Sequence, residues 1–271
     1  MLNCGEIFGP VRQISQREFE KKLAVRCAYR PLEEGAYDGG PLFLETLHEF
    51  EWLKGLNPSV RQKNSGRLRD AVSNDLGVTR ILEVSTKSDL VLGVRLSAFT
   101  LKLPEKFGSP SLESTYQASK VFADSNGQQF RSPEWLGAAE PHIAKRYIRD
   151  HFSKSQVAGF DFNGRFWAAN PTCLFYDYLF FEAVCAKPAE FQEILDFQAF
   201  VDIESAKNNL GFQQGKPFNS QARSAAIYST IVRNSLIKNG DIENWFYQQS
   251  SSHYVPSVGR GPYLSGLEDI T

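Results

Sequence analysis

Cysteine is scarce in this chain. Four occur among 271 residues, at positions 4, 27, 173 and 185, and no two form a Cys-x-x-Cys pair. Cys173 and Cys185 fall in one helix-like segment, too far apart to bridge each other. The pattern suits a reducing cytosol better than secretion. The four histidines, at 48, 142, 151 and 253, have no metal-ligand spacing with cysteine or with one another, so no metal site is expected. Long apolar runs are missing, and no signal peptide is expected; Cys4 follows Met-Leu-Asn without the apolar stretch a lipoprotein leader needs. A cytoplasmic protein without membrane contact is the expectation. The chain also lacks Gly-x-Ser-x-Gly and any Gly-rich phosphate cradle, which removes the serine-hydrolase and dinucleotide-fold readings. Net charge is only −1, so nucleic acid can be held only by local patches.

Aromatic residues are abundant instead, at 13% with 21 Phe, enough to line a core or a pocket. The alternation from Leu42 to Leu53 predicts a strand with Phe50 and Trp52 on one face. Arg67–Leu76 reads as a short helix stopped by Gly77, and Val78–Ser85 as a strand. Phe160, Phe162 and Phe166 around Asn163-Gly164 predict a hairpin with a type I′ turn. Asn170-Pro171 is placed as a cap, opening a helix over Thr172–Ala186 that is apolar nearly all round and therefore buried. Asp177 on that helix requires a partner, since an unpaired charge there would be costly. A helix is also expected from Ile143 to Phe152, and another from Asn219 or Ser220 to about Ile237.

The segment Glu113-Ser-Thr-Tyr-Gln-Ala-Ser-Lys120 carries the chemistry. On a helix Glu113, Gln117 and Lys120 fall at i, i+4 and i+7 and share one stripe. A solvated helix face is the plain reading of such charges. The segment lies downstream of Leu96-Ser97-Ala98-Phe99. Together these phrases resemble the NADAR (NAD and ADP-ribose) superfamily, and the likeness continues along most of the chain. Phe50-Glu51-Trp52, Ile81–Ser88, Gly159-Phe160 through Trp167, Phe175–Leu179, Ala199–Glu204 and Asn219–Ala222 follow the order of its branch of antitoxins to DarT-type DNA ADP-ribosylating toxins. Ser220 stands where that branch leads one to expect Cys. The segment after Glu204 is longer and lacks an Asn-Pro, and residues 123–158 match poorly.

The resemblance implies an α+β fold: a mainly helical single domain with small antiparallel β elements. The expected layout is an irregular extension over 1–40, a catalytic domain over 41–248 and a Ser/Gly-rich arm over 249–271. It implies a glycohydrolase, without cofactor, that removes ADP-ribose from guanine in DNA and so counters a DarT-type toxin, itself a possible partner. Lys120 would be the amine that attacks the anomeric carbon to form a Schiff base, and Glu113 the carboxylate that handles a proton. Ser97, Phe99, Tyr116, Gln117 and Trp167 would contact substrate. Asp202, with Glu204, would hold ribose hydroxyls or water, or serve as a cap. Asn219 and Gln221 open a helix whose amides could receive a pyrophosphate. Two basic stretches could follow a nucleic-acid backbone: Lys54, Arg61, Lys63, Arg67 and Arg69, and Lys145, Arg146 and Arg149 with His142 and His151. Trp135 and Tyr147, like Trp167, are stacking candidates with core packing as the default. Two alternatives stay open: an N-glycosidase of riboflavin-pathway metabolites, and a non-catalytic module that binds NAD, ADP-ribose or the toxin.

Overall fold

A computed structural model describes residues 22–55, 57–170, 173–204, 220–238, 240–249 and 257–258. Strand β1 (Lys22–Pro31) pairs antiparallel with β2 (Phe43–Trp52) along its whole length, from Lys22 opposite Trp52 to Pro31 opposite Phe43. Of the segment expected to be irregular up to residue 40, Lys22–Pro31 is therefore a strand. The segment's glycines at 35, 39 and 40 mark only the connection after β1, which turns at Gly35 and Gly39 with positive φ. Helix α1 (Pro58–Leu76) begins nine residues earlier than its apolar pattern suggested. Asn57 accepts a cap hydrogen bond from the Val60 amide and Pro58 opens the first turn. Gly77 ends it in the left-handed conformation, as expected.

Beyond α1 lie β3 (Ile81–Glu83) and the short α2 (Val91–Arg95). Strand β8 (Ala199–Val201) pairs parallel with β3 and antiparallel with β1, and β9 (Ser257–Val258) runs parallel beside β2. The first sheet therefore has the order β3-β8-β1-β2-β9. Two of its pairings are parallel, an addition to the α+β single-domain class expected from the sequence. Alternation along β8 divides the faces: Ala199 and Val201 meet Leu68 and Val72 of α1, while Phe200 joins the main core on the other side.

The second sheet is fully antiparallel, with β4 (Lys120–Ala123), β5 (Gln129–Arg131), β6 (Gln156–Phe162) and β7 (Arg165–Ala168) in the order β5-β4-β6-β7. Its hairpin turns at Asn163 and Gly164, both with positive φ, as Asn-Gly predicts. Helices α3 (Leu112–Ala118) and α4 (Pro141–Phe152) pack together beside it.

The apolar helix α5 (Leu174–Cys185) lies at the centre, as its composition requires, and every residue from Leu174 to Val184 is buried. It begins later than expected. Cys173, at positive φ, precedes the first turn; Pro171 lies outside the described residues. The short α6 (Pro188–Phe191) follows. Helices α7 (Gln221–Arg233) and α8 (Ile242–Tyr247), with α3, pack around α5. Asp177 finds its partner on α7: Arg223 donates to it at 2.7 Å and the Ser224 hydroxyl at 2.6 Å. No described helix is long and apolar enough to cross a membrane.

Gly93 sits where α2 passes over the end of β3. A Cβ there would overlap the Glu83 carbonyl oxygen and the Ser88 hydroxyl. Gly93→Ala is expected to destabilise the protein by about 1–3 kcal/mol, read as a lower urea midpoint; an unchanged midpoint would refute this packing.

Candidate active site

The parallel strands β3 and β8 end side by side, with Glu83 opposite Val201. The segments leaving the two strands therefore emerge at the same edge, the usual position for a ligand crevice at strand carboxyl ends. A cavity of about 430 Å³ opens there. It is walled by Ser85, Thr86 and Lys87 after β3, by Asp202 and Glu204 after β8, and by Gln221 at the start of α7. Ser97, Phe99 and Lys145 close the other side. That volume suits one small ligand or one extruded group of a larger one.

Lys120 and Glu113 stand behind this wall. Ser111 caps α3 by accepting from the Ser114 amide, and the Glu113 amide donates to the Ala98 carbonyl at 3.0 Å. This second bond fastens the start of α3 to the Ser97–Phe99 turn. The helix ends at Ala118, so the expected helical stripe reaching Lys120 is corrected: Lys120 is the first residue of β4. The reason is competition for carbonyls. Asp161 donates its amide to Ser119 O at 2.7 Å and Ser132 to Lys120 O at 2.9 Å. Those sheet bonds, with the strand-favouring Val121 and Phe122 next in the chain, replace the next helical turn.

Glu113 is only 6% exposed and accepts from the Gln117 amide at 2.8 Å. The other Gln117 side-chain atom, Oε1, is buried with no partner. The half-buried Lys120 Nζ lies 4.9 Å from the centre of the Tyr116 ring. Among the described residues no carboxylate comes within 4.0 Å of it. Burial pushes the Lys120 amine down to about 8; the Glu113 charge opposes this and the like charge of Lys145 adds to it. The Lys145 Nζ in turn sits 5.3 Å from the Phe99 ring centre, at the cavity wall.

Tyr176 of α5 joins the two halves. Its ring meets Tyr116 edge-on at 5.2 Å, and its hydroxyl is hydrogen-bonded to Gln221. Burial and then the Glu113 charge raise its pKa well above normal, and Asp202 adds to this, so the phenol stays neutral and both acids face it. Glu83, fully buried behind Ser85, is pushed up to about 7, chiefly by burial, with the charges of Asp202 and Glu204 adding to it.

Of the residues expected from the sequence, Ser97, Phe99, Asp202 and Gln221 line the cavity, and Glu113, Tyr116, Gln117 and Lys120 form the bank behind it. Asn219 lies outside the described residues. Trp167 is a correction. It is 1% exposed and stacked on Tyr178 at 4.7 Å, which leaves no ring face for a substrate. Lys145, Tyr176 and the Ser85-Thr86-Lys87 turn were not assigned to the site from the sequence. Small polar residues and a lysine directly after a buried strand were the available signal for the turn.

The profile of the DarT1-associated NADAR antitoxin family matches residues 26–256. The chain belongs to that family. The match begins within β1, so this strand is part of the NADAR domain. No curated protein matches the chain.

The depressed Lys120 pKa makes stability depend on pH. The folded protein holds a charged, poorly solvated ammonium at a cost that is full below about pH 8. That cost is relieved as pH rises from there past the ordinary lysine value of 10.5. Lys120→Met should therefore raise stability at pH 7 by on the order of 1–3 kcal/mol. The difference should shrink between pH 8 and pH 10.5 in denaturant titrations. A variant equally stable at every pH would contradict the burial of this amine.

Proposed function

We propose that this NADAR protein hydrolyses the bond between ADP-ribose and a guanine base of DNA, acting as antitoxin to a DarT-type toxin. The observation that carries the reading is the state of Lys120: a half-buried amine with a pKa near 8, beside a buried carboxylate, in a chain of this family. An ordinary lysine is protonated and inert at neutral pH. This one has a substantial fraction of free amine.

In this mechanism the neutral Lys120 Nζ attacks the anomeric carbon of the ribose linked to the base. The carbon–nitrogen bond to guanine breaks and its electron pair leaves with the base; the Glu113 carboxylate takes the proton that Nζ gives up and passes it to the base. The sugar is then held on Lys120 as a glycosylamine in equilibrium with its ring-opened Schiff base. Water, deprotonated by Glu113, adds to the same carbon. The carbon–lysine bond breaks with its electron pair going to Nζ, Glu113 returns the proton of the water to that nitrogen, and ADP-ribose is released. The sum is one water consumed, one unmodified guanine and one ADP-ribose formed. In this reading Asp202 and Gln221 meet ribose hydroxyls, and Ser85, Thr86, Lys87 and Lys145, which line the cavity, meet phosphate oxygens. The small-metabolite reading has no observation of its own in its favour.

The test is release of ADP-ribose from a guanine-ADP-ribosylated oligonucleotide, measured by mass spectrometry. Wild type should release it and Lys120→Ala should not. Borohydride added during turnover should leave a mass adduct on Lys120. Glu113→Gln should be slower by roughly 10²- to 10⁴-fold. Full activity of Lys120→Ala would eliminate the covalent route.

A further inference from the structure

We infer that the exposed face of α4, together with Trp135, is a binding track for single-stranded DNA that begins at the lip of the cavity. The inference rests on the reading that the modified base is carried by a polynucleotide, and it locates the rest of that strand.

On α4, His142, Lys145, Arg146 and Arg149 fall at i, i+3, i+4 and i+7, so they form one exposed stripe. Lys145 is part of the cavity wall, which makes the stripe continuous with the site. The next stripe around the helix is aromatic. Tyr147 and His151 stack at 4.0 Å, and Trp135 meets Tyr147 edge-on at 5.1 Å while remaining 50% exposed. Ile143, 42% exposed, lies between the two stripes. Cations beside exposed ring faces are what a single strand needs, since phosphates and unstacked bases are bound together.

Charge pairing separates this face from the arginines of the other basic stretch. On α1, Arg61 pairs with Glu204 at 2.8 Å, Arg69 with Asp89 at 2.5 Å and Arg67 with Glu51 at 3.6 Å, so those cations are occupied. On α4, Lys145 and Arg146 have no carboxylate partner among the described residues. Arg149 meets only its exposed neighbour Asp150 at 2.9 Å, a pair that water and a phosphate readily replace. The exposed acids Glu134 and Glu140 bound the patch at the helix start, beside Trp135.

Fluorescence anisotropy with an unmodified, labelled oligodeoxythymidine measures this track without any chemistry. Three cations predict a slope of log affinity against log salt of about −2 for wild type. Arg146→Ala with Arg149→Ala should cut that slope by about 1.4. Trp135→Ala should weaken binding roughly tenfold and leave the slope alone, because stacking releases no counterions. Lys63→Ala on α1 should change nothing. These variants should release ADP-ribose from ADP-ribosylated guanosine at the wild-type rate. Duplex bound as tightly as single strand, a slope indifferent to the α4 variants, or a loss with Lys63→Ala would each overturn the track. Intact strand binding without any ADP-ribose release would count against the proposed reaction alone. Release from oligonucleotides with binding indifferent to α4 would count against the track alone.

Discussion

The ion pair between Asp177 and Arg223 ties the molecule together. Asp177 is on the central helix and Arg223 on the helix that covers the first sheet, and both are buried. Two charges removed from water at this depth are stabilising only as a pair, and losing one partner would strand the other. The Arg223 guanidinium also lies 5.9 Å from the Phe43 ring centre on β2. Burial opposes its charge, yet Asp177, Cys173 and Tyr29 hold it firmly protonated. The pair therefore fixes helix α5 against α7 and both against the sheet. Its consequence for function is direct. Tyr176 precedes Asp177 and Gln221 lies two residues before Arg223, so the pair also fixes the hydrogen bond that joins the two halves of the site.

The site divides its labour by environment. At the cavity wall, short polar side chains and two lysines face a space that water can enter. Behind it, Glu113, Gln117 and Tyr176 are buried, and the Lys120 amine loses enough water for its proton affinity to fall. Burial and the neighbouring Glu113 pull that amine in opposite directions, and burial wins. Burial, and not a strong base beside it, therefore sets the protonation of this amine.

Much of this was legible in the sequence, and the part that was not has physical causes. Helix α5 and the Asn163-Gly164 hairpin were readable because their signals are local: an unbroken apolar surface, and a dipeptide that tolerates positive φ. Strand β1 was missed because its alternation is blurred: exposed Leu23 and Val25 lie on the same strand as the buried Arg26. Helix α1 has a polar first half, and only the Asn57 cap and Pro58 mark its start. At the site, Glu113, Lys120, Asp202 and Gln221 were proposed through resemblance, whereas Tyr176 was hidden in an apolar helix. Its role depends on partners 26 to 63 residues away, which no local pattern carries. Trp167 was misplaced for the same reason, since an indole in a hairpin strand reads alike whether its face meets a base or a neighbouring ring.

The passage from α3 into β4 has one more consequence, for how this sequence can change over time. Glu113 is set by a helical turn and Lys120 by a pleat, and Ser119 alone separates the two geometries. Carbonyls on both sides of the junction are gripped by β6 and by Ser132, so the register cannot slide. Losing a single residue here would bring Val121 into the place of Lys120, and gaining one would carry Lys120 into the place of Val121; either turns the amine to the other face of the sheet. A substitution in this stretch alters one side chain, whereas a change of length would displace every residue that follows at once. Length variation among such proteins belongs in segments like the one after Glu204, and a genuine member of the lineage should be recognisable by the fixed count of residues between this acid and this amine.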